Sequence, residues 1–167
     1  MSQEQIEKIQ TYNKGQHGDL VIYGFFGPFR FLSNFHVVDI PYKGLVYPST
    51  EAAYMSAKTT DSSIHKLLTQ ARNPSDARKI GKTLVLREGW DDMRLEVMEE
   101  VNRIKYSQTD YFDSMELRDM LKATAPAVLV EANWWNDRFW GECQGVGESN
   151  LGKVLMKLRD EFIAEDK

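Results

Sequence analysis

Helix start and stop signals cut residues 49–123 into short pieces, and this punctuation constrains the fold more than any other feature of the chain. Pro48-Ser49 precedes a run of alanines, which favour helix, and Ser49 or Thr50 can cap its start. The expected helix runs from about Ser49 to Thr60. Asp61 or Ser62 opens the next, with Ile64, Leu67, Leu68 and Ala71 turned inward. Asn73-Pro74 is a restart, since proline is favoured at the first helical position, and Gly81 is the expected stop. Asp91 or Asp92 starts a helix with Val97, Met98, Val101 and Ile104 on its apolar side. A further helix over about 110–123 ends before Pro126.

Around this helical stretch lie short apolar runs that read as strands. LVIYGFF (20–26) is one, and AVLVE (127–131) is another. HVVDI (36–40) and LVY (45–47) flank PYKG, which predicts a hairpin turning near Lys43-Gly44. Residues 133–150 hold three tryptophans, four charges and three glycines without periodicity, so they form a long loop. Leu151, Val154, Leu155, Leu158 and Phe162 then make an amphipathic last helix with Asn150 as its cap. The expectation is an α+β fold: a single compact domain, mostly helical, with a small sheet built from the N-terminal half and one late strand. Residues 1–18 read as a polar arm, and 19–167 as the domain.

At 167 residues, with 42% hydrophobic and 28% charged side chains, a core can form. The formal net charge of −4 offers no general attraction to nucleic acid or to an anionic membrane. The single cysteine, Cys143, excludes an internal disulfide framework and fits a reducing compartment. The polar start MSQEQIEKIQ is not a signal peptide, and no run has the roughly 18 apolar residues of a membrane span. A cytoplasmic protein is expected.

The chain has no nucleotide-binding glycine motif, no H-E-x-x-H and no paired cysteines. His17, His36 and His65 are scattered and read as surface or structural residues, so no metal site is expected, although an all-carboxylate magnesium site stays open. Cys143 reads as a small loop residue before it reads as a nucleophile. Carboxylates and tryptophans remain. At helical spacing Glu51, Tyr54, Met55 and Lys58 share one face, with Glu51 roughly 10 Å from Lys58. That face is either solvated or a site. Glu131 can cap or pair with an arginine. Asp137 lies in the tryptophan-rich loop, whose indoles are either satellite core or a stacking surface. Arg87 and Trp90 put a cation for phosphate beside an indole for a ring. Together these residues suggest a pocket for something flat, hydroxylated and phosphorylated.

The blocks SNF (33–35), YPSTEAAYMSAK (47–58), Arg87-x-x-Trp90, KYSQ (105–108), LKATAPAVLVE (121–131), ND-x-x-WG (136–141) and GESNLGKVLMKLR (147–159) occur in an order and spacing that resemble the YbiA-like, or NADAR, family of N-glycosidases. The likeness covers roughly residues 22–160. It implies a hydrolase of N-glycosyl bonds, without a cofactor, that cleaves between a ribose anomeric carbon and nitrogen. One branch of the family resembles hydrolases of ribosylated pyrimidine intermediates of riboflavin synthesis. Another acts on ADP-ribose attached to guanine in nucleic acid. The acidic balance disfavours long nucleic-acid substrates. Two positions depart from the family pattern. Ala52 follows Glu51 where the family commonly has histidine, and Cys143 stands where WG-x-G would put glycine, which should stiffen the loop after Trp140.

Cleaving a ribosyl C–N bond develops positive charge on the sugar. The resemblance then implies roles by position. Glu51 stabilises that charge or activates water. Lys58 either holds a phosphate or ring oxygen as a cation, or forms an imine with C1 of a ring-opened ribose. Asp137 binds ribose hydroxyls or protonates the leaving nitrogen. Trp90 and Trp140 stack on the base, Arg87 binds phosphate, and Ser33, Asn34, Tyr54 and Gly141 complete the substrate contacts. A module that binds NAD or ADP-ribose without cleaving it is the alternative.

Overall fold

Lys43 and Gly44 both take positive φ, 49° and 82°, and so reverse the chain between two strands as the sequence predicts. The computed structural model describes residues 20–108, 111–112 and 115–167; the expected arm over 1–18, with His17, lies outside the described residues. These residues group into two units, one spanning Asn34–Leu117 and the other joining 20–33 to 118–167.

In the first unit β2 (Val37–Tyr42) and β3 (Leu45–Ser49) pair antiparallel, with Ile40 opposite Tyr47 and both side chains buried. Ser49 ends β3 and caps α1 (Thr50–Ala57): its Oγ accepts the Ala52 N–H at 3.1 Å. All eight residues of α1 are buried. A helix apolar on one stripe only would not be, and the alanines at 52, 53 and 57 let neighbours approach from every side. Those neighbours are α2 (Ser62–Thr69), α3 (Pro74–Lys82), α4 (Trp90–Ser107) and the β2–β3 hairpin.

Asp61 caps α2 and Asn73 caps α3, each side chain accepting an N–H two residues on, as read from the sequence. Of the inward set on α2, Leu68 is buried but Leu67 is half exposed. Gly81 does not stop α3. The helix continues to Lys82, and a Cβ at Gly81 would overlap Met55 Sδ, so this glycine lets α3 approach α1. Nor does an aspartate cap α4. Its cap is Gly89, held at φ 72°, and Trp90 is its first residue. The helix expected over 110–123 is shorter. A two-residue hairpin, β4 (Tyr111–Phe112) with β5 (Met115–Glu116), takes its first part, and α5 covers only Leu117–Ala123.

The second unit holds β1 (Val21–Tyr23) parallel to β6 (Val128–Val130), with Val21 opposite Val128. The run over 20–26 makes a strand of three residues, because Gly24 turns at φ 90° and a 3-10 helix, Gly27–Leu32, follows. The last helix, α6 (Asn150–Glu165), packs on β6, and its Leu151, Leu155, Leu158 and Phe162 are buried. Its cap is Ser149 in the left-handed region rather than Asn150. A second short parallel pair joins β7 (Ala132–Asn133) to β8 (Glu142–Cys143). The fold is α+β. Its strands form four separate two-stranded pairs among the described residues, not the one small sheet expected. No helix of the described residues is long and apolar enough to cross a membrane.

Candidate active site

The face of α1 that carries Glu51, Tyr54, Met55 and Lys58 is not solvated. Glu51 is 8% exposed, Tyr54 3% and Met55 7%, and Lys58 is half-buried at the end of the helix. A carboxylate this buried is costly unless something holds it or uses it. The Glu51 backbone is fixed from outside the helix, its N–H donating to the Asn34 carbonyl at 3.1 Å. The first turn of a helix also favours an acidic residue through the helix dipole.

Lys58 Nζ stands 5.4 Å from the Tyr54 ring centre, a cation–π distance. Burial pushes the Lys58 amine below the usual lysine range. The Glu51 charge opposes that shift, and Arg78 and Arg94 add to it. A lysine so placed holds a larger neutral fraction than one in water, as a nucleophilic amine requires. Arg78 and Arg94 escaped the sequence reading, because they come from α3 and α4, far from Lys58 along the chain. Trp90 is 5% exposed, its ring 5.3 Å from that of Tyr54 and tilted by 57°. Its indole therefore backs the Tyr54 ring rather than offering an open face.

Asn34 is buried and already engaged. Its Nδ2 donates to Met98 Sδ at 3.2 Å, and its Oδ1 accepts from Asn102 Nδ2 at 3.2 Å. Asn102 is fully buried on α4 and was missed; an asparagine among the apolar positions Met98 and Val101 is the signal that marks it. Arg87 sends its backbone N–H to the Lys58 carbonyl at 2.7 Å, yet its side chain lines a groove with Ser56 and Ala57, on the other side of α1 from Glu51. His65 Nε2 lies 2.9 Å from the Thr59 carbonyl and must donate to it, while His36 is half-buried.

The remaining candidates belong to the second unit. Asp137 organises its loop: its Oδ1 accepts the N–H groups of Phe139 and Trp140 at 3.1 and 2.9 Å. Asn133 closes the other side, donating to the Asp137 carbonyl at 2.6 Å and accepting the Asp137 N–H at 3.1 Å. Trp140 is half-buried, edge-on to Phe139 at 4.8 Å. Gly141 is buried, and a Cβ there would overlap the Glu131 carbonyl, so only glycine fits. Trp134 and Trp135 are partly exposed and meet edge to face at 4.8 Å, with Phe26 beside Trp134. Ser33 is buried, its N–H on the Arg30 carbonyl.

The two departures from the family pattern sit in structural positions. Ala52 is fully buried, on the flank of α1 away from Lys58. Cys143 lies buried in β8, bonded through its backbone to Val146 across a turn at Gln144 and Gly145. No cluster of three metal-ligating side chains occurs among the described residues.

Comparison with known proteins places the chain among relatives of known family and fold. The NADAR domain family model matches residues 18–163. N-glycosidase YbiA of Escherichia coli (strain K12) is 33% identical over 136 residues, covering 80% of this chain and 81% of that protein. A riboflavin biosynthesis protein of Vibrio vulnificus (strain YJ016) is 31% identical over 135 residues, 79% of this chain but 35% of its own length. The NMR structure of E. coli YbiA superposes with a TM-score of 0.75 at 31% identity, over 87% of this chain and 84% of that one.

Proposed function

The chain belongs to the NADAR domain family, and on that footing we propose that it is an N-glycosidase that hydrolyses a ribosyl C1–N bond in a phosphorylated, nucleotide-like substrate. One observation carries the reading: the buried face of α1 sets the Glu51 carboxylate among Tyr54 and a half-buried Lys58 whose amine is depressed. As the C1–N bond breaks, its electron pair leaves with the base nitrogen, which takes up a proton. Positive charge grows on the sugar, and a carboxylate in a low-dielectric setting stabilises it strongly. Water then bonds to C1 and gives its proton to Glu51. Tyr54 supplies a flat wall fixed by Trp90.

Lys58 has two roles open to it. As an ammonium it holds a phosphate or ring oxygen. As a free amine it adds to C1 of the ring-opened sugar, the base leaves, and water later hydrolyses the imine. Borohydride reduction during turnover separates them, since only the imine leaves a stable sugar adduct on Lys58.

Relatives named for N-glycosidase activity and for riboflavin biosynthesis support the reaction class; the substrates proposed for it are a ribosylaminopyrimidine phosphate first and ADP-ribosyl-guanine second. The test is turnover on both, wild type beside Glu51→Gln, following release of free sugar phosphate or ADP-ribose. A general acid–base group contributes about 10²–10⁴-fold, so the variant should lose at least about 10²-fold on whichever substrate is cleaved. Turnover within about threefold of wild type would overturn the assignment of Glu51. No turnover of either substrate, with ADP-ribose still bound, would favour a binding module.

A further inference from the structure

On the side of α1 opposite Glu51, Ser56 and Ala57 face a groove of about 430 Å³, inside the size range of small-molecule sites. At 100° per residue these two positions lie roughly 140° and 240° around the helix from Glu51, so the groove is not an extension of the face described above. Its charges fall into two groups. Glu100 is occupied: Lys43 Nζ lies 3.3 Å from it, and the Tyr42 hydroxyl donates to it at 3.4 Å. Arg87 and Glu96 line the same groove, and neither side chain makes an ion pair or hydrogen bond among the described residues. They do not pair with each other either. The half-buried Arg87 guanidinium and the exposed Glu96 carboxylate, unpaired in one concavity, match a ligand with an oxyanion at one end and N–H donors at the other. Between them the half-buried Met93 supplies an apolar surface on which a flat ring can lie, with the nearly buried Tyr42 and Val97 behind it.

We propose that this groove is a second ligand site, for a free mononucleotide-sized molecule carrying a phosphate and a planar ring with amino or imide N–H donors. The phosphate accepts two N–H bonds from the Arg87 fork. The ring lies along Met93 and donates to the Glu96 carboxylate, as the imide and amino edge of guanine does. The Tyr42 hydroxyl stays protonated throughout the physiological range, because burial and the Glu100 carboxylate push it up to about 12. The Arg87 amide is bonded to the Lys58 carbonyl, so an occupant of the groove holds the segment that ends α1. The site does not depend on the glycosidase reading, and either can fail without the other.

Guanosine monophosphate is the probe, titrated by calorimetry beside adenosine monophosphate, guanosine and ribose 5-phosphate. Saturable binding of the first is expected, with each of the others at least about tenfold weaker, the loss of one charged or paired hydrogen-bond set. Glu96→Gln and Arg87→Gln should each weaken binding at least about tenfold, with unchanged circular dichroism, while Glu51→Gln leaves it intact. No binding up to about 1 mM would overturn the proposal. So would binding that Glu51→Gln abolishes and Glu96→Gln spares, since the ligand would then sit on the Glu51 face. Equal binding of the two monophosphates would overturn the role given to Glu96.

Discussion

Ser49 and Thr50 are adjacent, both fully buried, and each carries a hydroxyl; the structure predicts that removing these two hydroxyls has opposite effects. The Ser49 Oγ accepts the Ala52 N–H at 3.1 Å. In Ser49→Ala that amide keeps no acceptor, and α1 is buried along its whole length, so water cannot replace the serine. Loss of an N-cap typically costs about 1 kcal/mol and up to about 2. An orphaned buried donor belongs at the upper end, so about 1.5–2 kcal/mol is expected. Thr50 Oγ1 is buried without a hydrogen-bond partner among the described residues. Thr50→Val removes an unsatisfied polar group and keeps the shape, and should stabilise the protein by about 1 kcal/mol. At this chain length 1 kcal/mol moves the midpoint by roughly 2–4 °C, so Ser49→Ala should melt about 3–8 °C lower and Thr50→Val about 2–4 °C higher. Thermal unfolding followed by far-ultraviolet circular dichroism, with urea midpoints as a check, reads both. Two shifts of the same sign would refute the hydrogen-bond accounting at the start of α1. Turnover adds a second readout, because Glu51 sits in the turn that Ser49 holds, and Ser49→Ala should lower kcat more than Thr50→Val does.

Gly141→Ala should cost about 1–3 kcal/mol, since its Cβ meets the Glu131 carbonyl, which is backbone and cannot swing aside; a urea midpoint equal to wild type would contradict this. Asp137→Asn keeps an acceptor for the Phe139 and Trp140 amides and should stay within about 0.5 kcal/mol of wild type, whereas Asp137→Ala loses both bonds and about 1.5–3 kcal/mol. If Asp137→Asn is stable yet slow, the carboxyl proton matters to the reaction; if it is stable and fast, Asp137 only shapes the loop. Lys58→Met tests the depressed amine. The folded value lies below the ordinary 10.5, so at any pH below the folded value the amine is charged in both states and burial costs stability. As pH rises from the folded value towards 10.5, the folded protein sheds its proton before the unfolded chain does, and the cost fades. The variant should therefore gain stability at pH below the folded value and lose that advantage as pH rises towards 10.5; a gain that grows with pH would show the shift to have the wrong sign.

Much of the local structure was legible in the residues alone. Caps at Ser49, Asp61 and Asn73, the turn at Lys43-Gly44 and the strand over 128–130 all rest on side chains that act within a few positions of themselves. The resemblance of spaced blocks likewise needed only order along the chain, and the family match covers residues 18–163. The misses are of another kind. Gly81 looks like a stop signal because glycine often ends helices, but Met55 of another helix dictates it. Gly89 was passed over as a cap because its contribution is a backbone angle, not a side chain.

The face of α1 shows the division most clearly. Periodicity put Glu51, Tyr54 and Lys58 on one side and could not say whether water covered them. That depended on α3, α4 and the hairpin closing around a helix of small residues, a packing decided far along the chain. The same holds for Arg87, which stands three residues before Trp90 and yet lines a groove behind the helix while the indole backs Tyr54. Neighbours in sequence share a face only while the backbone stays regular, and the loop that bonds to the Lys58 carbonyl breaks that rule. The sequence by itself determined which residues carry charge, rings and caps, and where helices begin. Only the tertiary structure decided which of those charges lost their water, because burial is a property of all the elements that meet around a side chain and not of its position in the chain.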